Sequence, residues 1–421
     1  MDGVTALILA GGRVDELGAL TARRAKAAVP FGGTYRIIDF PFTSLARSGL
    51  ERVGVLSQYR PSSLMDHVGM GEAWGLIGRN REVRMLPPYQ AETRVDWYNG
   101  SADAVAQNRD FWKDSREVLI VSGDHVYAMD YRPLLAQHRA RGAALTMAFK
   151  RFPREEMRQY GVARLDGEGW VREYCEKPSE PFSDLGSLTI FVFDTYVLLD
   201  ILERGRPASG PHQFYFHVIP PLVEAGRVQG WIFDGYWAYA RSVDQYYRAS
   251  MDALDPASGL DLDAWQIHTN VEESGTGGRP PFLVGPRARI QACRISSGCR
   301  IDGKVTGSIL SPDVVVEHGA VVTDSVLMNN VRVGAGSVLH RVIADKHTIF
   351  GGRCRIGQPR REGPPEVLAQ SHTCGAAVFG RECVIPAGSE VGGNTQVAPG
   401  TVLTTPLCLP AGACLETPEE V

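Results

Sequence analysis

The chain has 421 residues, of which 44% are apolar and 22% are charged, and its formal net charge is −4. The length predicts two or three domains, and the absence of any basic block excludes a surface for nucleic acid. No apolar run is long enough to cross a membrane, and the N-terminus lacks the basic and apolar regions of a signal peptide. We therefore expect a soluble, cytoplasmic protein with neither a nucleic acid nor a membrane as partner.

Short apolar strands alternate with amphipathic helices in the first part of the chain. The predicted strands are Val4–Leu9, Arg52–Leu56, Glu117–Val121, Ala144–Phe149 and Ser187–Phe193, and the predicted helices include Ala102–Trp112 and Pro133–Arg141. This alternation predicts an α/β domain over residues 1–254, with a mostly parallel sheet covered by helices on both faces. Ligands of such sheets bind at the carboxyl ends of the strands. We therefore expect the site in the loops after Leu9 and Val121.

The periodicity changes after a connector, residues 255–281, that is rich in Gly, Pro, Ser and Asp. Apolar residues then recur at steps of six, first as Ile309, Val315, Val321, Leu327, Val333 and Leu339, and later as Ile385, Val391, Val397, Leu403, Leu409 and Leu415. A period of six fits neither an α-helix nor a simple strand, and it is typical of hexapeptide repeats in a parallel β-helix. We predict this second domain over residues 282–421, with a loop interruption at 357–371.

Two features near the N-terminus suit a phosphorylated ligand. Gly11 and Gly12 follow the first strand, where small residues let backbone N–H groups approach a phosphate. The next segment is rich in cations, namely Arg23, Arg24, Lys26 and Arg36. Arginine and lysine bind polyanions, but a solvated basic face explains the charge pattern equally well, so the pattern alone leaves both interpretations open.

Further motifs make the comparison with a known family possible. Besides Leu9–Gly12 and Arg24–Pro41, they are Trp97–Val105, Ser122–Tyr131, Tyr160–Val162, Glu176–Pro178 and Gly235–Trp237. In this order they resemble the signature segments of the ADP-glucose pyrophosphorylase (glucose-1-phosphate adenylyltransferase) family. The resemblance implies a Rossmann-like nucleotidyltransferase domain followed by a left-handed parallel β-helix of hexapeptide repeats.

The resemblance also implies an activity and a set of site residues. The reaction is attack by the phosphate of glucose 1-phosphate on the α-phosphorus of ATP, which gives ADP-glucose and pyrophosphate for glycogen or α-glucan synthesis. Asp124 would bind Mg²⁺ and Lys26 would hold phosphate oxygens. The nucleotide would lie against Gly11, Gly12, Gln90, Gly100, Ser101 and Ala102. The sugar phosphate would lie against Tyr98, Gly161, Glu176, Lys177 and Ser187.

Assembly and regulation follow from the same resemblance. We expect a homotetramer, or a hetero-oligomer with an active paralogue. Arg23, Arg24 and Arg36 are candidates for binding a sugar-phosphate effector.

The sequence departs from the family pattern at the phosphate loop and at a metal ligand. Val14 replaces a glycine, and Glu16 replaces an arginine that would neutralise the leaving pyrophosphate. Tyr239 stands where a second magnesium-binding aspartate is expected, and a neutral phenol is a poor ligand for magnesium. Arg241 is new and is a candidate for the missing cation. Three further segments differ from the family pattern, namely Leu188-Thr189, Gln213–His217 and Pro87–Tyr89. The sequence therefore indicates the identity of the sugar and of the base less strongly.

Three hypotheses follow from these observations. The first is an active adenylyltransferase, or a close relative with another sugar phosphate or nucleotide. The second is a catalytically impaired regulatory subunit of a hetero-oligomeric pyrophosphorylase, favoured by Glu16 and Tyr239. The third, a hexapeptide-repeat acyltransferase, is disfavoured because His318, His340 and His347 lie among ordinary repeats. We favour the first.

Overall fold

The structure is a computed structural model of the chain. It describes residues 3–12, 15–88, 90–91, 94–95, 97–207, 209–271, 278–358 and 375–415. The predicted loop interruption at 357–371 therefore lies, from residue 359 onward, outside the described residues.

The N-terminal part contains strands and helices in alternation. Its strands are β1 Val4–Leu9, β2 Pro30–Phe31, β3 Tyr35–Arg36, β4 Arg52–Leu56, β5 Glu82–Leu86, β6 Gln90–Ala91, β7 Arg94–Val95, β8 Glu117–Ser122, β9 His125–Tyr127, β10 Leu145–Arg151, β11 Gly161–Leu165, β12 Val171–Glu176, β13 Leu185–Asp194, β14 Val228–Ile232 and β15 Trp237–Tyr239. Its α-helices are α1 Asp39–Arg47, α2 Ser62–Val68, α3 Ser101–Gln107, α4 Arg109–Trp112, α5 Arg132–Arg141, α6 Thr195–Arg204, α7 Ile219–Glu224, α8 Val243–Asp252 and α9 Leu262–Trp265. Short 3₁₀-helices lie at Gly18–Leu20, Lys26–Ala28, Glu72–Trp74 and Arg154–Gln159, and one turn of π-helix lies at Phe214–Val218.

A nine-stranded sheet organises this domain. Its main path is β12-β11-β13-β8-β1-β4-β5, and β10 pairs with both β13 and β14. The segment β8-β1-β4-β5 is parallel throughout, whereas β13 runs antiparallel to β8. Both faces of the sheet are buried: Ala6 and Ile8 pack on one face, and Leu7 packs on the other. This arrangement confirms the predicted α/β fold and places the ends of β1, β4 and β8 side by side.

The predicted helix Ala102–Trp112 is divided in the structure. Asn108 leaves helical geometry between α3 and α4, with φ −100° and ψ 23°. Its side-chain amide donates hydrogen bonds to the carbonyl of Ala104 at 2.9 Å and to the hydroxyl of Tyr98 at 2.8 Å. A side-chain amide that bonds to local groups competes with helical geometry, which accounts for the break.

The C-terminal part consists of very short strands. They are β16 Leu283–Val284, β17 Arg289–Gln291, β18 Arg294–Ile295, β19 Arg300–Ile301, β20 Lys304–Thr306, β21 Ile309–Leu310, β22 Val315–Val316, β23 Val321–Thr323, β24 Val326–Leu327, β25 Arg332–Val333, β26 Val338–His340, β27 Val342–Ala344, β28 Ile349–Phe350, β29 Arg355–Gln358, β30 Ala377–Phe379, β31 Val384–Ile385, β32 Glu390–Gly392, β33 Gln396–Val397, β34 Cys408–Leu409 and β35 Cys414–Leu415. They form three sheets in which all pairings between neighbours are parallel. This is the predicted β-helix.

The repeat is less regular than a strict six-residue step. Val321 pairs with Val338, seventeen residues later, so one coil of this region has two sides of six residues and one side of five. The short side turns at Asp324, whose φ of +48° closes the corner. The series that packs in the core of the β-helix is therefore Leu310, Val316, Val322, Leu327, Val333 and Leu339. Of the predicted residues, Val315 and Val321 are half-buried and lie one position too early, whereas Ile309 is fully buried beside Leu310. In the last coils Gln396 pairs with Cys414 and the six-residue step holds.

The two parts of the chain pack against each other. Arg24 forms a buried ion pair with Asp345 of the β-helix, and the hydroxyl of Tyr247 donates to the carbonyl of Asp324 at 2.8 Å. An apolar cluster that includes Leu20 and Ile343 continues across the contact. Over the described residues, no helix has the length and apolar character needed to cross a membrane.

Candidate active site

The strand ends at the centre of the sheet surround a cavity of about 320 Å³. Six of the predicted site residues line it, namely Gly11, Gly12, Tyr98, Gly100, Ser101 and Asp124. The cavity also has lining residues that were not predicted as site residues: Gln58, and Ser122 and Gln213 from the segments Ser122–Tyr131 and Gln213–His217. Gln58 lies just beyond the predicted strand Arg52–Leu56, so the same strand-end argument that pointed to the loops after Leu9 and Val121 would have found it.

Lys26 and Asp124 form an ion pair at this cavity. The Lys26 Nζ atom lies 2.6 Å from Asp124 Oδ2, and the two side chains are 3% and 22% exposed. Burial alone would raise the pKa of Asp124, but the Lys26 ammonium, with the Ser122 hydroxyl, outweighs it and holds that pKa well below its usual range. Asp124 is thus an anion throughout the physiological pH range.

His125, directly after Asp124, is a buried neutral imidazole. Its Nε2 atom lies 3.2 Å from Asp124 Oδ1, and burial lowers the pKa of His125 to about 4 even though Asp124 opposes the shift. Its ring packs against those of Trp237 and Tyr239, with centroid separations of 4.6 and 5.0 Å. His125 therefore supports the carboxylate without adding charge.

Tyr239 forms an aromatic wall where a second carboxylate was expected. The Lys26 ammonium lies 4.6 Å from the centroid of the Tyr239 ring, a cation–π contact. Burial raises the pKa of the Tyr239 phenol, with Asp124 adding to the shift, so the phenol stays neutral. Among the described residues that line the cavity, Asp124 is the one that offers a carboxylate to a metal.

A divalent cation is still compatible with this arrangement. Within the described parts of the chain no group of three His, Cys, Asp or Glu side chains is placed to hold a metal. Magnesium, however, is commonly bound by one or two carboxylates together with the phosphates of a substrate. The permanently ionised Asp124, facing the cavity beside the glycine turn, fits that mode of binding.

The segment from Tyr98 to Ala102 is held in place by backbone contacts. Gly100 has φ +112°, and a Cβ atom there would lie 2.2 Å from the carbonyl oxygen of His212. That carbonyl accepts hydrogen bonds from the backbone N–H groups of Ala102 at 3.0 Å and Asp103 at 3.3 Å. Gln58 fixes the other end, since its Oε1 atom accepts from the backbone N–H of Tyr98 at 2.7 Å. Ala102 itself is fully buried and does not line the cavity.

Three predicted sugar-phosphate residues lie together on β11 and β12. Gly161 pairs with Glu176, and a Cβ atom at Gly161 would clash with the Glu176 carboxylate and the Tyr174 hydroxyl. Tyr174 donates to Glu176 Oε2 at 2.8 Å, and Lys177 Nζ lies 4.0 Å from Glu176 Oε1. Burial raises the pKa of Glu176, while Tyr174 and Lys177 oppose the shift.

The other two predicted sugar-phosphate residues are placed differently. Ser187 lies on β13 and its buried hydroxyl has no hydrogen-bond partner within the described structure. Tyr98 lines the cavity, but its hydroxyl donates to the carbonyl of Leu86 at 2.8 Å, on the side of α3 and β5. Tyr98 therefore belongs to the wall formed by Gly100 and Ser101 and lies apart from Glu176.

The predicted effector arginines are largely engaged in contacts within the chain. Arg24 is buried in its ion pair with Asp345, and the Arg36 guanidinium donates to the backbone carbonyl of Ser63 at 2.9 Å. Arg23 is 47% exposed and pairs with Glu382 at 3.0 Å. The effector role stays a prediction for all three. Gln90 lies in β6, but its side chain is outside the described structure, as are Val14 and Tyr89.

Together, the glycine turn, the strand-end carboxylate with its lysine, and the appended β-helix define a nucleotidyltransferase with a hexapeptide-repeat domain. The family model described as "Nucleotidyl transferase" matches residues 5–256, and the model described as "GlmU-like, C-terminal hexapeptide" matches residues 284–367. The β-helix is thus the left-handed hexapeptide type expected from the resemblance.

Relatives that match most of the chain identify the family within this class of nucleotidyltransferases. The glucose-1-phosphate adenylyltransferase of Thermomicrobium roseum is 41% identical over 406 residues, which cover 95% of this chain and 94% of the relative. Proteins of the same name from Desulforamulus reducens and Thermotoga neapolitana are 36% and 40% identical, over 86% and 76% of this chain and 91% and 77% of the relatives. The chain belongs to the glucose-1-phosphate adenylyltransferase family.

Proposed function

We propose that this protein transfers the adenylyl group of ATP to glucose 1-phosphate, forming ADP-glucose and releasing pyrophosphate. A phosphate oxygen of the sugar attacks the α-phosphorus, and the bond from the α-phosphorus to the bridging oxygen of pyrophosphate breaks. The observation that carries the proposal is the Lys26–Asp124 ion pair, 2.6 Å long, at a strand-end cavity beside a glycine turn. The names of the relatives support the choice of substrates.

Each wall of the cavity has a role in this reaction. The backbone at Gly11 and Gly12 approaches the phosphates, and Gly100 and Ser101 form the wall for the adenine. Lys26 balances phosphate charge, which is the main requirement of phosphoryl transfer chemistry. Glu176 at the end of β12 and Lys177 directly after it are proposed to bind glucose 1-phosphate. Mg²⁺ bound by Asp124 and the phosphates would neutralise charge on the phosphate oxygens.

A second candidate function is that of a catalytically impaired subunit. Tyr239 supplies an aromatic ring in place of a carboxylate, and Glu16 forms an ion pair with Arg241 at 2.7 Å instead of presenting a cation to pyrophosphate. Such a subunit would bind the sugar phosphate or an effector and act on an active paralogue.

One experiment separates the two candidates. The purified protein, alone, is assayed for pyrophosphate release from ATP and glucose 1-phosphate with Mg²⁺, and the sugar nucleotide is identified by mass spectrometry. We expect ADP-glucose, and we expect Asp124→Asn and Lys26→Met to lower the rate by about 10² to 10³. Asp130→Asn, a change at an exposed carboxylate in the same motif, is the matched control. Retained binding of glucose 1-phosphate without turnover would favour the impaired subunit.

Parallel reactions test which nucleotide and which sugar phosphate the protein uses, because the altered segments indicate neither strongly. UTP and GTP replace ATP in one series, and mannose 1-phosphate replaces glucose 1-phosphate in another. A higher kcat/KM with any of these pairs would identify a transferase of altered specificity.

The proposal also includes the domain boundaries and the oligomeric state of the protein. We propose residues 1–254 as the transferase domain, 255–281 as the connector and 282–421 as the β-helix, and α9 lies within the connector. We also propose a cytoplasmic homotetramer, with a hetero-oligomer as the alternative. Light scattering on the purified protein measures the mass of the assembly, and a monomer would contradict both forms.

A further inference from the structure

Arg241 and Glu16 form an ion pair that links two walls of the site. Arg241 follows β15, and Glu16 lies shortly after the glycine turn that ends β1. The Nε and Nη2 atoms of Arg241 lie 2.8 and 2.7 Å from Glu16 Oε1. Both N–H groups thus point to a single oxygen atom of one carboxylate.

The charge of the guanidinium acts on groups proposed to bind the two substrates. Tyr239, two residues before Arg241, contacts Lys26 through its ring, and Arg241 lowers the pKa of the Tyr239 phenol against the larger effect of burial. The charge of Arg241 also reaches Glu176 on the sugar-phosphate wall, where it helps to lower the carboxyl pKa against the effect of burial. The charge of Arg241 therefore acts on both Lys26 and Glu176.

Stability gives little reason for such a pair. Its side chains are 35% and 45% exposed, and ion pairs at that exposure contribute little to folding. A guanidinium is, by contrast, well shaped to bind two oxygens of one phosphate group at the same time. In the free protein the Glu16 carboxylate occupies the anion position in front of it.

We propose that Arg241 is a phosphate-binding residue for ATP, and that the triphosphate displaces the Glu16 carboxylate from the guanidinium. The inference rests on the proposed function for the identity of the ligand. It assigns to Arg241, two residues after β15, the cation that Glu16 does not provide.

The two members of the pair must then affect ATP binding in opposite directions. Arg241→Ala removes charge-assisted hydrogen bonds to phosphate, which we expect to weaken ATP binding roughly 10-fold or more. Glu16→Gln removes the competing anion, so ATP binding becomes equal or tighter. Arg241→Lys keeps the charge without the planar fork and should give an intermediate affinity.

The test is calorimetric titration of the full-length protein and its variants with ATP and Mg²⁺, together with steady-state assays. Arg204→Ala is the matched control, because Arg204 forms a 2.7 Å ion pair with Asp200 on α6. Unchanged ATP binding by Arg241→Ala would overturn the inference. Equal weakening of ATP binding by Arg241→Ala and Glu16→Gln would also overturn the inference, because the ion pair would then only stabilise the local structure.

The outcomes also separate this inference from the proposed function. A wild-type protein that binds ATP through Arg241 but makes no ADP-glucose would retain the inference and remove the adenylyltransferase activity. If Arg241→Ala keeps the wild-type turnover and an unchanged KM for ATP, the adenylyltransferase activity stands and the role of Arg241 in ATP binding is removed. A wild-type protein that binds no ATP would overturn both.

Discussion

The buried ion pair between Arg24 and Asp345 should hold the transferase domain and the β-helix together. Its side chains are 6% and 1% exposed, so removing one partner leaves the other charge buried and uncompensated. Arg24→Met leaves the Asp345 carboxylate with the backbone N–H of Lys346 as its remaining described hydrogen-bond donor, at 2.6 Å. Breaking one side of a buried pair costs about 3 to 5 kcal/mol, and we expect a destabilisation in that range.

A second variant and a neighbouring residue sharpen this prediction. Asp345→Asn in the Arg24→Met background removes the stranded charge but keeps an acceptor for Lys346, so it should restore more than half of the lost stability. Arg23→Met breaks an exposed pair with Glu382, and it should cost less than about 1 kcal/mol.

The assay is urea unfolding, followed in parallel by calorimetry to detect separate domain transitions. A chain of two domains need not unfold in one step, and loss of the interface should separate the transitions. A loss below about 1 kcal/mol for Arg24→Met, or a double variant no more stable than the single one, would refute the reasoning.

Three further variants probe the adenine wall, the aromatic wall and the β-helix register. Gly100→Ala should abolish ATP binding in a titration with little loss of fold by circular dichroism, because its Cβ would overlap the carbonyl of His212; normal affinity would contradict this geometry. Tyr239→Phe should keep most of the kcat measured for wild type, whereas Tyr239→Asp should lower both kcat and stability by placing a second buried carboxylate near Asp124. In the β-helix, Leu339→Ala should cost about 2 to 5 kcal/mol in urea unfolding, and Val338→Ala, at the half-buried neighbouring position, clearly less. Equal losses would indicate a wrong register.

The sequence predicted the central strands closely because their limits depend on local chemistry. Val4–Leu9 and Arg52–Leu56 are mostly apolar segments, the first preceded by Gly3 and the second followed by Ser57, and the structure has the same bounds. The antiparallel direction of β13 depends on how a distant connection returns to the sheet, which no local pattern encodes. The seventeen-residue coil was missed because it depends on the positive φ at Asp324, a residue whose identity does not specify that conformation.

The site was predictable where position in the sheet decides it. Asp124 and Gly11 follow strands that are neighbours, so topology alone brings them to one cavity. The orientation of Tyr98 was not predictable, because it depends on hydrogen bonds to Leu86 and from Asn108 that form only when α3 packs on the sheet. The burial of Arg24 likewise depends on a residue of another domain.

The charges at the site couple Glu16 and Arg241 to the binding of a triphosphate. In the free protein Lys26 is paired with Asp124, and Arg241 is paired with Glu16, so each cation has its own anion and the four groups sum to zero. A triphosphate requires an excess of positive charge. The Lys26–Asp124 pair is short and its side chains are 3% and 22% exposed, whereas the pair at Arg241 is 35% and 45% exposed, where water lowers the cost of separating the charges. The pair that yields to an incoming phosphate is therefore the one at Arg241, and the same exchange removes the Glu16 carboxylate from the guanidinium that the triphosphate contacts.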